Sequence, residues 1–436
     1  MQNKNQKAPT PYSAVPRFLA GLVAVLSLTG TAHAETLSLT ECLRRATAGN
    51  YGLTVTAHDR RIAAENISQA KSGFLPRLDF QGGYTAQAKP QAFSFAGRET
   101  ETQDTTYGFF NITATQTIYD FGRTSSRTRR ASLLQEAVAH SYDAQERDVF
   151  LQVVEAYYGI LEAKKVLGAS DEEIVQRTDH LRVAQNLYEQ GVVTRNDLLQ
   201  AEVKLADSRQ RRLAAANLVE NRWLFLNFLT GRPLPFRADL EEKDTPASLP
   251  PLEAAEEKAL ANRPELVSLT RTVEAGEAEV SEARTGYFPE IFAQGTIDYM
   301  ENSKAREQAI YAATVGLRVN LFDGFATTSR YRQTVENLGK QRDNLRLVRE
   351  QIRLELATSQ SDARVAAERI RTVETAIRQG EENLRINRDR YQAQVGTATD
   401  VIDAQTLLTQ IRTDYFRAVF DYQVAAARVR KAMGEL

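Results

Sequence analysis

The sequence predicts a mainly α-helical protein with a membrane β-barrel: long coiled-coil helical hairpins, plus four β-strands per chain. Three observations predict it. Two proline-free runs keep a seven-residue apolar period, four short segments alternate apolar with polar residues, and the whole arrangement occurs twice within 436 residues. Self-similarity of this kind governs the reading, because an overlooked repeat misassigns a fold.

Residues 1–34 read as a secretory leader. Lys4, Lys7 and Arg17 precede the apolar run Phe18 to Gly30, which leads to the small-residue cleavage motif Ala32-His33-Ala34. The run is too short to span a bilayer. Removing the leader takes the formal charge from −1 to about −4, so the exported chain is mildly acidic and no basic surface argues for nucleic acid. The single cysteine, Cys42, cannot form an internal disulfide. It follows Leu39-Thr40-Glu41 rather than a lipid-attachment motif, so no lipid anchor is expected. Beyond Gly30 there are never 18 consecutive apolar residues, which excludes an ordinary transmembrane helix and leaves a β-barrel open.

After the leader, Ser38 and Glu41 form a capping box for a first short helix. A first repeat then spans 35–230, and a second spans 252–436. The proline-rich segment 231–251, with Pro233, Pro235, Pro246, Pro250 and Pro251, links them. Ala70–Tyr84 (AKSGFLPRLDFQGGY) matches Ala283–Ile297 (ARTGYFPEIFAQGTI) 213 positions later, aligning Gly73 with Gly286 and Pro76 with Pro289. Ile118–Arg129 matches Leu321–Arg332 only 203 positions later, so the first repeat carries about ten extra residues, assigned to a loop within Phe93–Thr106.

Each strand pair is entered through Gly-x-x-Pro and left through an aspartate near glycine. Proline ends the incoming helix, and Asp120 or Asp323 can cap the outgoing one. Between these joints Leu78, Phe80 and Tyr84 alternate with Arg77, Asp79 and Gln81. Phe110, Ile112, Ala114 and Ile118 alternate with Asn111, Thr113, Thr115 and Thr117. The second repeat sets Ile291, Ala293, Ile297 and Tyr299 opposite Glu290, Gln294, Thr296 and Asp298. Tyr311 to Leu321 continues the pattern. Such alternation fits a half-buried sheet or a lipid-facing barrel wall.

The helical runs follow. Leu167, Ile174, Leu181 and Tyr188 fall seven apart, as do Ile370, Ile377, Leu384 and Tyr391, a period that imposes left-handed supercoiling. Ser125–Tyr188 and Thr328–Tyr391 lack proline and would each be roughly 95 Å long. Both end in a turn. Gly191 can supply a positive φ, Thr194 can cap the returning helix, and Asp197 sits at the capping-box position; Thr397 and Asp400 repeat that spacing. Asp403 has Gln200 as its counterpart, so capping does not account for it, and it shares a helix face with Asp400.

Four strands cannot close a barrel, and an open sheet edge is not tolerated in lipid. Three chains would pool twelve strands. Together the duplicated SGFLP and TGYFP joints, YDFG and FDGF, ANRPEL, and the paired YEQGVVTRNDLLQAE and YQAQVGTATDVIDAQ resemble the TolC family of outer-membrane efflux and secretion channels, over essentially all of the mature chain. The resemblance implies a homotrimer with a twelve-stranded barrel in outer-membrane lipid of a Gram-negative cell and a periplasmic α-barrel. It implies a passive exit duct, with no cofactor and no metal, for a tripartite efflux pump or type I secretion system, joined to an inner-membrane pump through a periplasmic adaptor. It puts Asp400 and Asp403 in the channel's constriction, with Asp197 and Tyr391 beside them. The exposed tip residues Gly191, Val192, Val193, Thr194 and Arg195, with Gln394, Val395, Gly396 and Thr397, are the candidates for adaptor contact. Gly73, Pro76, Asp120, Gly286, Pro289 and Asp323 are structural joints.

An enzyme has little support. The three histidines beyond the leader, His58, His140 and His180, form no metal-binding pattern, and no phosphate-cradling glycine loop occurs. The alternative is a periplasmic coiled-coil scaffold or adaptor whose strands form a soluble sheet.

Overall fold

The computed structural model describes residues 36–231, 238–242 and 250–436. The leader expected over 1–34 lies outside the described residues, as does most of the linker, with Pro233, Pro235 and Pro246. The first repeat opens with α1 (Leu39–Gly49) and α2 (Tyr51–Lys71), then β1 (Arg77–Ala86), β2 (Ala92–Phe95), β3 (Arg98–Glu101) and β4 (Thr106–Tyr119). It closes with α3 (Arg123–Glu189) and α4 (Arg195–Thr230). The second repeat runs α5 (Leu252–Asn262), α6 (Pro264–Arg284), β5 (Glu290–Met300), β6 (Ala309–Arg318), α7 (Ala326–Gln392) and α8 (Ala398–Ala432). At 67 residues each, α3 and α7 are about 100 Å long. No described helix is long and apolar enough to cross a membrane.

One antiparallel sheet has the order β1-β4-β5-β6. Its register separates two faces. Phe80 pairs with Ile112, Ile112 with Ile297, and Ile297 with Tyr311, giving an apolar face. Asp79 pairs with Thr113, Thr113 with Thr296, and Thr296 with Ala312 on the other face. Phe80, Phe110 and Tyr299 stack across the apolar face, their ring centroids 6.4 and 4.9 Å apart. That face is uncovered within the chain: Leu78 and Phe80 are each 71% exposed and Val315 is 78% exposed. Among the described residues β1 and β6 pair on one side only, so each leaves a free edge.

The structure alters three details. The segment Phe93–Thr106, expected as a loop, contains the hairpin β2–β3. Its two turn residues, Ala96 (φ 51) and Gly97 (φ 78), both have positive φ, the geometry whose twist matches flanking strands. A bulge between Thr117 and Tyr119 leaves Ile118 unpaired, so it does not continue the apolar row. β6 ends at Arg318, which leaves Val319 and Leu321 beyond the sheet.

At both joints a 3-10 turn, Ser72–Phe74 or Thr285–Tyr287, delivers the chain to the strand, with Pro76 or Pro289 just ahead of it. A Cβ on Gly73 would stand 2.9 Å from the Thr124 methyl, and one on Gly286 3.0 Å from that of Thr327. Those threonines are held by the joint aspartates. Asp120 accepts from the Thr124 amide at 2.7 Å and hydroxyl at 2.5 Å, and Asp323 accepts from Thr327 at 2.9 and 2.6 Å. The aspartates therefore fasten the outgoing helix from before its cap, which is Gly122 or Phe325.

Three apolar clusters support the helices. The first joins α1, α3 and α4 around Trp223, Tyr157, Ile160 and Leu226, and its Tyr157 hydroxyl donates to the carbonyls of Leu37 (3.1 Å) and Glu241 (2.6 Å), tying in the chain before α1 and the linker. The second packs α5 and α6 against α7 and α8 through Ala255, Ala259, Ile352 and Leu356. The third lies at the hairpin ends.

Candidate functional site: the paired helical tips

Both long helices stop in the same way. In the first tip Gly191 takes φ 73, its amide donates to the Tyr188 carbonyl at 2.9 Å, and the Val192 amide reaches back to the Leu187 carbonyl at 2.9 Å. In the second, Gln394 takes φ 61, its amide donates to the Tyr391 carbonyl at 3.1 Å, and the Val395 amide reaches the Arg390 carbonyl at 2.9 Å. This is the reversal motif that satisfies the last carbonyls of a helix and favours glycine. The second tip makes it without one, and Gly396 instead lets the returning chain pass close to the helix end, where a Cβ would stand 3.0 Å from that of Arg390.

Both returning helices begin with a complete capping box. The Asp197 amide donates to the Thr194 hydroxyl oxygen at 3.3 Å, while Asp197 accepts from the Thr194 amide at 2.9 Å. The Asp400 amide donates to the Thr397 hydroxyl oxygen at 3.1 Å, and Asp400 accepts from the Thr397 amide at 3.0 Å. The Thr397 amide and hydroxyl hold the Asp400 carboxyl below its ordinary range. Asp403 is exposed one turn along, with no hydrogen-bond or ion-pair partner among the described residues.

The two tips are packed together. Leu384, Tyr391, Ala398, Val401, Ala404 and Leu408 form one cluster, and Val183, Leu187 and Val193 of the first hairpin pack onto it. Gly191, Val192, Thr194, Arg195, Gln394, Val395 and Thr397 are exposed at the end of the molecule, while Val193 and Gly396 are half-buried. Tyr391 is buried in the seam with its ring 5.5 Å from that of His180, whereas Tyr188, its counterpart, is 39% exposed. The two heptad rows are therefore unequal. Leu167, Ile174 and Leu181 are only half-buried, because α3 packs against α8 as well as α4 and turns a different phase inward.

That phase is Ala169, Glu173, Arg177, His180 and Ala184, and sequence reasoning passed over it because its members are small or polar. Arg177 is 1% exposed and crosses from the first hairpin to the second: it donates to Gln405 Oε1 at 2.9 Å, Thr406 Oγ1 at 2.8 Å and the Ile402 carbonyl at 3.4 Å. Glu173, also buried, stands 3.5 Å from Arg177 and 2.9 Å from Arg211 of α4. A buried charge persists only where it is paired and hydrogen-bonded, and here the pairing joins α3, α4 and α8. The signal available in the sequence was the 4-3-4 spacing of positions 173, 177, 180 and 184.

Long hairpins in duplicate, a sheet with an apolar outer face and free edges, and twinned tips are the parts of a membrane-anchored tube. The family model for outer membrane efflux proteins matches residues 42–232 and 256–435. The chain belongs to the outer membrane efflux protein family. The outer membrane efflux protein BepC of Brucella suis is 24% identical over 98% of this chain and 92% of its own length. The outer membrane protein TolC of Escherichia coli is 22% identical over 94% and 85%. The solved structure of the outer-membrane channel OprN superposes with a TM-score of 0.80 at 16% identity, covering 91% of this chain and 90% of that one. This outer membrane efflux protein is thus a TolC-family channel of the Gram-negative outer membrane, serving efflux or type I secretion, and not an enzyme. Family membership implies a trimer working in a tripartite assembly.

Proposed function

We propose that the channel is closed at its periplasmic tips, where the threefold axis gathers Asp400 and Asp403 of three chains into a ring of six carboxylates. Each chain supplies two repeats, 35–230 and 252–436, joined by the linker 231–251, and each repeat supplies one hairpin tip. The observation that carries the reading is Asp403, exposed and without a hydrogen-bond or ion-pair partner among the described residues, one turn from Asp400 at the tip of the second hairpin, whose long helix α7 measures about 100 Å. Six like charges at one level attract cations and resist simultaneous ionisation. Asp197 and Tyr391 set the packing behind the ring. The adaptor docks on the exposed tip residues from Gly191 to Arg195 and Gln394 to Thr397, and the inner-membrane pump drives transport through it.

The test is selectivity in a planar bilayer. Asp400→Asn with Asp403→Asn removes the charges while the asparagine amide oxygen at 400 can still accept from the Thr397 amide. The reversal potential in a salt gradient should fall from cation-selective toward zero, with trimer mass unchanged. An unaltered reversal potential would place the constriction elsewhere.

A further inference from the structure

Beside the Arg177 crossing, between α3, α7 and α8, lies a cavity of about 150 Å³. It has room for several waters, at roughly 30 Å³ each. Three of its lining side chains present a buried polar atom with no hydrogen-bond partner: His180 Nε2, the Tyr391 hydroxyl and Gln405 Nε2. These residues are 6%, 5% and 1% exposed. Unpaired polar groups in so dry a place destabilise a fold unless something fills the gap.

The occupant must accept hydrogen bonds. Gln405 Nε2 can only donate, since its Oε1 already accepts from Arg177. The tyrosine hydroxyl donates too, burial keeping it protonated by pushing it up. The surrounding charge is set by Arg182 on α3 and Arg388 on α7, both on the lining, with Arg177 behind. The acids facing the cavity are otherwise engaged. Asp179 accepts from Arg182 at 3.3 Å, Glu173 is shared by Arg177 and Arg211, and Asp197 of α4 is committed to its capping box. Arg388 has no carboxylate within ion-pair distance among the described residues, which makes it the cation on the lining without an acidic partner. The same field is felt by His180, which burial, then Arg177 and Arg388, hold down to about 4.

We propose that this cavity binds a small inorganic anion of the halide type, clamped between the two hairpins of one chain. A halide accepts from Gln405 and Tyr391 of the second hairpin and from His180 Nε2–H of the first, needs no donor of its own, and sits beside Arg388. Because both hairpins supply ligands, occupancy fastens α3 to α7 and α8 just behind the tips, whatever the carboxylates beyond them do.

Crystals of the native trimer soaked in sodium bromide should show an anomalous bromine peak within hydrogen-bond reach of Gln405 Nε2 and Tyr391. In solution the trimer should melt higher in sodium bromide than in sodium gluconate at equal ionic strength, by about 2 °C or more. That difference should vanish in Arg388→Gln, a change at an exposed residue that leaves the fold intact, and in Gln405→Leu. Water density alone, or a carboxylate from a neighbouring subunit in the cavity, would overturn the site. So would a peak accompanied by identical melting in both salts, which means binding at crystal concentration only.

Discussion

At the scale of single residues, the second tip holds a glutamine where the first holds glycine. A side-chain-bearing residue in the left-handed region costs on the order of 1 kcal/mol, so Gln394→Gly should slow hydrogen exchange at the tip amides, while Gly191→Ala should speed it. A faster-exchanging Gln394→Gly tip would mean that the glutamine side chain contributes more than its backbone loses. His180 gives a second prediction, in pH. Its folded pKa of about 4 lies below the ordinary 6.5, so between these values the unfolded chain binds the extra proton and stability falls as pH falls. The loss approaches roughly 3 kcal/mol per chain by pH 4. Asp400 acts in the same direction lower down: its carboxyl is also depressed, and its contribution is lost as pH falls below the ordinary carboxylate range. The melting temperature of His180→Phe should therefore be flatter than native from pH 6.5 to 4, and parallel below. A native curve already flat above pH 4 would show that protonated His180 is accommodated.

At the scale of elements, the hairpins are held by caps at their ends and by one charged crossing near the tip. Thr397→Ala removes half of a capping box and should lower stability by about 1 kcal/mol, read as faster proteolysis at Arg390, which lies in the last turn of α7 just before the reversal. Arg177→Ala leaves Glu173 buried with only Arg211, a loss of about 3–5 kcal/mol; Arg177→Met, filling the same space, should lose less. Equal losses would show that the crossing acts by its charge and hydrogen bonds and not by filling space. These elements differ in how readable they were. The long helices, the four main strands and both capping boxes follow from local chemistry: seven-residue periods, alternation, and Thr-x-x-Asp spacing. The β2–β3 hairpin escaped because Phe93 and Phe95 alternate over only four residues and the turn uses Ala96 with Gly97. The Arg177 layer escaped for a deeper reason. An apolar period reveals which face is buried only when the buried residues are apolar, and α3 turns Glu173, Arg177 and His180 inward because its neighbour α8 offers Gln405 and Thr406. Partner choice is a tertiary fact, invisible in either helix alone.

At the scale of the whole molecule, the sheet separates lipid from lumen residue by residue, and two adjacent positions on β6 test it. Ala313 lies in the row of Tyr311, Val315 and Leu317, while Thr314 pairs with Gln294 on the polar face. An arginine facing hydrocarbon costs about 2–4 kcal/mol near the bilayer midplane and far less in a lumen. In a trimer that cost is incurred three times, since each chain inserts the same strand. Ala313→Arg should therefore deplete heat-resistant trimer from the outer-membrane fraction, whereas Thr314→Arg should insert normally and change only conductance. A soluble scaffold predicts otherwise. With both faces in water or against protein, as the free edges of β1 and β6 would then also be, washing the membranes with alkaline carbonate would release native chain and the two arginines would not be discriminated by face. The unpaired edges make that outcome physically expensive, because rows of unsatisfied amides and carbonyls invite pairing. Three copies joined β6 to β1 would satisfy every one of them, and in the proposed gate the same threefold closure would bring three Asp403 carboxylates to a common axis at the far end.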